Sequence, residues 1–538
     1  MMPASAPPPT RRGSSWVEPL RLFRDGMRYA RTVLDDPLTP ERAYVLVRQR
    51  MAERQDEFLR TLEQAVFGFS ASPYRRLLQA AGYDLTRVRA LVRSEGVEGA
   101  LRRLCDAGVY VAIEEFKGLM PVRRDGQTFH FSEADFHNPL IRSGLVAASG
   151  GTRSRGIATT IPATNHRMGA EHLAIALNAY GLTGAPMMVW LTQAHGASQW
   201  AVVALAATGR RPLLWLTYLP AALGTVNRQP ATTLAIRTWA RLRGIPLPRP
   251  RYVPFGQESV ILRLLRADSD RPFGVITTPS SALRLVLAAR QTNISLPHVT
   301  FITIGEPLTP AKLAAVQAVG ARAFSSLGFT EFGRATYGCA APADADDSHV
   351  CRDAVAVVQR PRTVDALGSE VLALLFTSLR RDARRVLLNV ETGDYARMQE
   401  RRCGCLLESV GWTEHMVDIR SFEKLNAEGR RFSGSELITL VEEVLPARFG
   451  GDPNDFQLVE QEDEEGFTRL DVHVHPRLGP VDERAVVDCV DDVLRAQQPV
   501  SSNVWKKAQT IRVRRAPPLL TRAGKLMPLH HLSGPPHG

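Results

Sequence analysis

Val299-Thr-Phe-Ile-Thr-Ile-Gly-Glu-Pro307 is the stretch that decides the fold. Val299 to Ile304 is a β-branched run that reads as a strand, and Gly305-Glu306-Pro307 ends it. Pro310 to Val319 reads as a helix and Ala323 to Ser326 as the next strand. Upstream, Gly274 to Thr277 reads as a short strand that leads into a helix from Ser280 to Arg290. Strand, short loop and helix in repetition predict parallel α/β architecture between about residues 170 and 330. Such sheets bind ligands at the loops beyond the carboxyl ends of their strands.

The flanking regions differ. Residues from about 16 to 130 read as mostly helical and amphipathic, and residues 1–15 read as a disordered Pro- and Ala-rich tail. After Arg420, Ser433-Gly-Ser-Glu436 has capping-box spacing and Leu437, Leu440, Val441, Val444 and Leu445 follow at helical spacing. Phe456–Glu460 and Arg469–His475 read as strands around the acidic turn Glu462 to Gly466, and Asp482 to Leu494 as another helix. The expected architecture is therefore α/β, with a large N-terminal domain of parallel α/β sheets (16–420) and a small, mobile α+β domain (421–538).

Bulk properties narrow the function classes. The 538 residues, 44% hydrophobic and 23% charged, suit a multidomain globular protein. The most apolar region, Trp200 to Leu223, is interrupted by Gly209-Arg210-Arg211, so no membrane span is expected and the cytoplasm is the expected location. The net charge of +12 comes from 67 basic residues of which six are lysines (Lys117, Lys312, Lys424, Lys506, Lys507 and Lys525). The arginines are scattered among acids, which argues against a nucleic-acid binder and is compatible with a basic cleft for polyphosphate. Six cysteines in a chain this long do not form a disulfide scaffold.

Four short motifs carry chemistry. Ser149-Gly150-Gly151-Thr152-Arg153-Ser154-Arg155-Gly156 offers backbone N–H groups, hydroxyls and two cations to an anion such as phosphate. Gly328-Phe329-Thr330-Glu331 supplies a hydroxyl for a phosphate oxygen and a carboxylate for Mg²⁺. In Glu391-Thr-Gly-Asp394 the aspartate can accept from both hydroxyls of a ribose. Ala523-Gly-Lys525 places a rare lysine near the C-terminus, where its ammonium can neutralise charge on a transferring phosphoryl group. Each motif alone also has a plain reading, as a surface loop, a helix start, a turn aspartate or a tail lysine. No Walker A sequence occurs.

In this order, with 182, 63 and 131 residues between Ser149, Glu331, Asp394 and Lys525, the series resembles the signature motifs of the adenylate-forming superfamily. That superfamily includes acyl-CoA synthetases, peptide-synthetase adenylation domains and luciferases. Within it the chain looks most like the phenylacetate–CoA ligase branch, on Ser72-Pro-Tyr-Arg-Arg-Leu77 with Ala81-Gly82, Thr277-Thr-Pro-Ser280 and Gly305-Glu-Pro307. The resemblance implies an acid–thiol ligase that uses ATP and Mg²⁺ to make an acyl-AMP and then an acyl thioester of CoA or a carrier thiol. By the same resemblance Ser149 to Gly156 would cradle the β,γ-phosphates, and Gly305, Glu306 and Pro307 would flank adenine. Thr330 would touch the α-phosphate, Glu331 would bind Mg²⁺, and Asp394, helped by Arg420, would hold the ribose. The hinge would lie near Phe422 or Glu423, and Lys525 would enter the site for adenylation and leave for thioester formation. His195 stands where some members place an acyl-pocket residue; a core or loop histidine is the competing reading. The chain departs from the family at Arg153-Ser154-Arg155 (usually Thr-Gly-Lys), Leu327 (usually aromatic), and Phe422 and Asn426 (usually Asp and Lys).

Some members of that branch hold structural zinc with a Cys, a His and a C-x-C pair. Cys339, His349, Cys403 and Cys405 match that set, with Cys351 an alternative to His349 and buried free thiols the competing reading. Two further alternatives stand beside the thiol ligase: adenylation with transfer to an amine, and a relative that binds nucleotide or acyl ligand without turnover. A nucleic-acid partner and a membrane partner are not expected, and the oligomeric state, a homodimer included, is open.

Overall fold

The structure is a computed structural model that describes residues 17–148, 158–191, 197–209, 212–218, 230–245, 247–267, 269–363, 370–421, 426–427, 430–431, 434–462, 468–497, 511–520 and 526–532. The N-terminal third is helical, as the amphipathic pattern predicts. Helices α1 (Val17–Leu34), α2 (Pro40–Ala52), α3 (Arg54–Thr61), α4 (Pro73–Ala80), α5 (Leu85–Asp106) and α6 (Ile113–Phe116) are followed by two hairpins. The first pairs β1 (Val122–Arg124) with β2 (Gln127–Phe129), and the second pairs β3 (Leu145–Ala148) with β4 (Ala158–Ile161).

The centre is a six-stranded parallel sheet. In chain order its elements are α7 (Ala163–Ala179), β5 (Met187–Trp190), α8 (Ala197–Ala207), β6 (Pro212–Thr217), α9 (Pro230–Leu242), β7 (Arg251–Tyr252), α10 (Glu258–Arg266), β8 (Phe273–Thr277), α11 (Pro279–Gln291), β9 (Val299–Ile304), α12 (Pro310–Gln317) and β10 (Arg322–Ser326). The spatial order is β10-β9-β8-β5-β6-β7, so the winding reverses between β5 and β8. Alternation along the strands divides the core. Met187, Val189, Ile276 and Ile302 face one side with α7 and α8, while Met188, Trp190, Val275 and Phe301 face the other with α10 and α11. Thr278 and Thr309 cap α11 and α12, each followed by proline in the first turn.

The chain then makes a second large sheet. A hairpin of β11 (Gly328–Phe329) and β12 (Gly333–Arg334) leads into β13 (Thr336–Gly338), β14 (Ser348–Val350), β15 (Val355–Thr363), β16 (Glu370–Ser378), β17 (Val390–Glu400) and β18 (Glu414–Ser421). These last six pair antiparallel in the order β13-β14-β18-β17-β16-β15; β14 to β18 share one core with α3, α4 and α5, while Tyr337 of β13 packs into the core of α7 and α8. The expectation of parallel sheets therefore holds for residues 187–326 and not for the sheet from 336 to 421. A short β19 (Asn426–Ala427) and β20 (Arg430–Arg431) pair lies beyond β18.

The smaller C-terminal sheet has its own core. It combines α13 (Gly434–Thr439), a wide turn Leu440–Val444, α14 (Leu445–Phe449), β21 (Phe456–Glu462), β22 (Thr468–Val474), α15 (Glu483–Gln497), β23 (Ile511–Arg515) and β24 (Leu529–Leu532). Its order is β23-β22-β21-β24, antiparallel at the centre and parallel at both edges. Leu437, Leu440, Val441 and Leu445 are buried in this core, as their spacing predicts. Among the described residues no helix is long and apolar enough to cross a membrane.

Candidate active site and metal centre

Three of the expected site segments leave the carboxyl edge of the parallel sheet. Thr277–Ser280 follows β8, Gly305–Pro307 follows β9, and Leu327–Glu331 follows β10. The β8 loop borders the point where the winding reverses, the ligand position in open α/β sheets, and the β9 and β10 loops follow it one and two strands away. The loops are bonded to one another. Glu306 accepts from the backbone N–H of Ser280 at 3.0 Å and from its hydroxyl at 2.6 Å. Glu306 thus neutralises the amino end of α11 and ties the β8 and β9 loops together. Its other carboxylate oxygen is buried with no hydrogen-bond partner among the described residues, and the Arg284 guanidinium lies nearby.

Thr330 and Glu331 occupy the tip of the β11–β12 hairpin, half-buried. Leu327 anchors the hairpin: its N–H donates to the Thr336 hydroxyl and its carbonyl accepts from Ala335 and Thr336. A Cβ on Gly328 would lie 2.8 Å from the Gly333 carbonyl oxygen, so this tight pair of strands requires glycine there. Phe329 packs edge-on against Phe376 of β16 at 5.0 Å, and Phe376 pairs with Val390 of β17. The hairpin therefore rests on the same sheet that carries Asp394.

Asp394 on β17 and Arg420 on β18 sit one register position apart, since Asp394 pairs with Ser421 and Tyr395 with Arg420. The Thr392 hydroxyl donates to Asp394 at 3.1 Å. Arg420 is held by Asp346 at 3.0 Å, and Asp346 also accepts from the N–H groups of Asp418 and Ile419. Glu391 of the same motif is buried and pairs with Arg360 and Arg362. Sequence reading did not find Asp346 or the role of Glu391, because their partners lie 74 and about 30 residues away.

Burial pushes Glu133 up to about 7, a change that Arg385 opposes and Glu331 reinforces. The carboxylates of Glu133 and Glu331 therefore share one neighbourhood. Ser149 to Gly156, His195, Phe422, Glu423 and Lys525 lie outside the described residues. The residues on either side of 521–525 are described. Leu520 and Leu526 pair antiparallel, and the buried Gln457 of β21 donates to the carbonyls of Leu519 and Met527 at 2.9 Å each. Its side-chain oxygen accepts from Leu519 N–H at 2.6 Å, so one amide grips the chain on both sides of residues 521–525.

The cysteine set converges. One ligand atom each from Cys339, His349, Cys403 and Cys405 lies within 4.8 Å of the others. Cys403 Sγ is 3.5 Å and Cys405 Sγ 3.2 Å from His349 Nε2. Tetrahedral zinc separates its sulfur and nitrogen ligands by about 3.5 Å, so the donor set fits that ion. His349 Nδ1 bonds the Trp412 carbonyl at 2.6 Å, which puts the proton on Nδ1 and turns the Nε2 lone pair toward the thiols. A hydrogen bond between Cys339 and Cys405 raises the first thiol and lowers the second. Cys351, the alternative ligand, is buried in the core beneath α7 instead. Cys339 also lies near Asp347 and His415, but Asp347 is already bonded to His415 at 2.7 Å and to Arg401.

Comparison with solved structures finds distant likenesses. A 2-hydroxyisobutyryl-CoA ligase in complex with 2-HIB-AMP and CoA shares 16% identity over 89% of this chain and 90% of that chain, with a TM-score of 0.43. O-succinylbenzoate coenzyme A synthetase from Bacillus subtilis, in complex with ATP and magnesium ion, shares 12% over 71% and 68%, with a TM-score of 0.41. ATP-bound MatB from Rhodopseudomonas palustris shares 13% over 87% and 89%, with a TM-score of 0.36. No protein-family model and no curated protein matches the sequence.

Proposed function

We propose that this chain is an ATP-dependent, AMP-forming acid–thiol ligase of the adenylate-forming superfamily. A substrate carboxylate oxygen attacks the α-phosphorus of ATP, the bond to the β-phosphate breaks, and pyrophosphate leaves. A thiol of CoA or a carrier then attacks the acyl carbon and AMP leaves. The observation that carries this reading is the meeting of separated motifs. The Gly305 and Thr330 loops leave one sheet edge, and the Thr330 hairpin packs through Phe329 on the sheet of Asp394 and Arg420.

In this reading the Thr330 hydroxyl donates to an α-phosphate oxygen and Asp394 accepts from the ribose hydroxyls. Arg420, fixed by Asp346, supports Asp394 from the next strand. Mg²⁺, held by Glu331, would supply charge neutralisation on the phosphates. Ser149 to Arg155 would grip the β,γ-phosphates and Lys525 would offset the charge that develops in the transition state. Catalysis is then alignment plus electrostatics, with no covalent enzyme intermediate. In this reading the hinge would lie near Phe422 or Glu423, beyond the end of β18 at Ser421. Cys339, His349, Cys403 and Cys405 hold a structural zinc ion. An aryl or arylacetic acid is the substrate class on branch resemblance, with CoA the first acceptor to try.

A screen of aromatic, aliphatic and amino acids for acid-dependent pyrophosphate release tests the proposal. Lys525→Ala is expected to slow acyl-AMP formation about 100-fold or more while transfer from preformed acyl-AMP stays within about threefold. Equal losses in both steps would remove Lys525 from its assigned role, and an absence of pyrophosphate release with every acid would leave a ligand-binding protein. Mass spectrometry of reactions that contain CoA and amines separates the thiol acceptor from an amine.

A further inference from the structure

The segment between β16 and β17 carries four arginines, Arg380, Arg381, Arg384 and Arg385. Three have carboxylate partners. Arg380 pairs with Asp382 at 3.1 Å, Arg381 with Glu57 at 3.0 Å, and Arg385 with Glu133 at 3.7 Å. Arg384 is more buried than Arg380 or Arg381, yet among the described residues it has no carboxylate within ion-pair distance. Its Nε donates to Asn165 Oδ1 at 2.9 Å and one terminal nitrogen donates to the carbonyl of Thr330 at 3.2 Å.

Such a charge is costly in a folded core. A buried guanidinium without a counter-ion loses several kcal/mol of hydration that two neutral acceptors do not restore. Burial lowers Arg384 to about 10, so it still carries its proton at neutral pH. The two acidic groups that act on it electrostatically do not bond it. Tyr29 is neutral, its own ionisation raised by burial, and its hydroxyl proton is committed to Nδ1 of the buried His166. Glu331 acts on Arg384 only through space. A second cation stands on the same hairpin: Arg334 lies over the rings of Trp200 and Tyr337, and one of its terminal nitrogens is buried with no hydrogen-bond partner among the described residues.

The backbone is shaped to admit this guanidinium. Gly333 has φ of +110°, and a Cβ there would come 3.1 Å from an Arg384 terminal nitrogen. A side chain at position 333 would therefore crowd Arg384 as well as strain the backbone.

We propose that Arg384 is an anion-binding residue of the adenylation centre, clipped to Asn165 and to the Thr330 carbonyl so that its free donors meet an oxyanion of the reacting pair beside Thr330. This rests on the ligase reading above. The oxyanion has two sources, the α-phosphate of ATP and the carboxylate of the acid. Both offer the charge the fold omits, and Glu331 is assigned to Mg²⁺. Asn165 is then a positioning residue that fixes the plane of the guanidinium.

The test uses the full chain with Arg384→Met and Arg384→Lys, read by acid-dependent ATP–pyrophosphate exchange, AMP binding by calorimetry and Tm. Arg384→Met is expected to lower kcat/KM about 100-fold or more, with Arg384→Lys recovering at least about tenfold of that loss. Tm should hold or rise, because an uncompensated charge has been removed. A fall of about tenfold or more in AMP affinity assigns the α-phosphate, whereas unchanged AMP affinity with a raised KM for the acid assigns the carboxylate. Exchange and AMP binding within about twofold of the unaltered protein in both variants overturn the assignment. So does a lowered Tm with undiminished exchange by the folded protein. If the unaltered protein neither exchanges pyrophosphate nor binds AMP, the ligase reading falls and this assignment falls with it.

Discussion

At the scale of single residues, the proposed metal centre depends on one hydrogen bond that sequence does not display. The C-x-C pair Cys403 and Cys405 is visible in the chain, and Cys339 and His349 can be matched to it. The choice between His349 and Cys351 could not be made from spacing, because residues two apart on a strand share a face; β14 ends at Val350, and Cys351 leaves that alternation. His349 has the bond to Trp412 that presents its lone pair, while Cys351 points into the core. Purified protein is expected to carry close to one zinc per chain by elemental analysis. Cys405→Ser should lose most of it and lower Tm by about 5 °C, the scale of a loss of about 2 kcal/mol in a large domain. Full zinc content in Cys405→Ser would remove the residue from the site. Asp346, Arg384 and Gln457 show the opposite case. Their partners are distant in sequence, and an acid, an arginine or a glutamine read alone gives no sign of what it will hold.

Elements were legible where their own residues set them. The β-branched run 299–304 is strand β9 at those bounds, and the Thr-Pro pairs at 278–279 and 309–310 open α11 and α12. The antiparallel sheet from 336 to 421 was not legible. Its outer strands mix Arg360, Pro361 and Arg362 with apolar residues, and β17 contains Gly393, so no clean alternation appears. Long-range pairing defines these strands, with Asp394 opposite Ser421 and a bulge between Tyr395 and Arg397. The clearest element-level consequence concerns Gln457. Gln457→Leu removes three hydrogen bonds that hold the chain on both sides of residues 521–525, and strands two carbonyls and one N–H. Acyl-AMP formation is expected to slow about 10- to 100-fold, with transfer from preformed acyl-AMP nearly unchanged. Single-turnover measurement of each half-reaction checks this, and a parallel loss in both would show that Gln457 supports only the domain's stability.

At the scale of the whole molecule, the two parts of the chain meet through a buried ion pair. Lys312 Nζ lies 2.6 Å from Glu442 Oε1, and the Thr309 hydroxyl donates to the same carboxylate. Lys312 belongs to α12 of the parallel-sheet domain and Glu442 to the wide turn of the C-terminal domain. Removal of one partner from such a pair costs about 3–5 kcal/mol, whereas a matched apolar replacement of both can be neutral. Glu442→Ala is therefore expected to weaken this arrangement of the two domains far more than Lys312→Met combined with Glu442→Leu. Denaturant titration of the single and double variants measures the difference, and additive effects would show that the pair contributes nothing to docking.

The same contact gives the protein a built-in reporter. A chain with only six primary amines on its side chains has hidden one of them between the two parts that the proposed ligase cycle would move apart. An acetylating reagent should pass Lys312 by while the C-terminal unit rests on α12 and mark it once that unit swings away. Mass spectrometry of a single peptide could then follow the swing during turnover, without a fluorophore or an engineered probe.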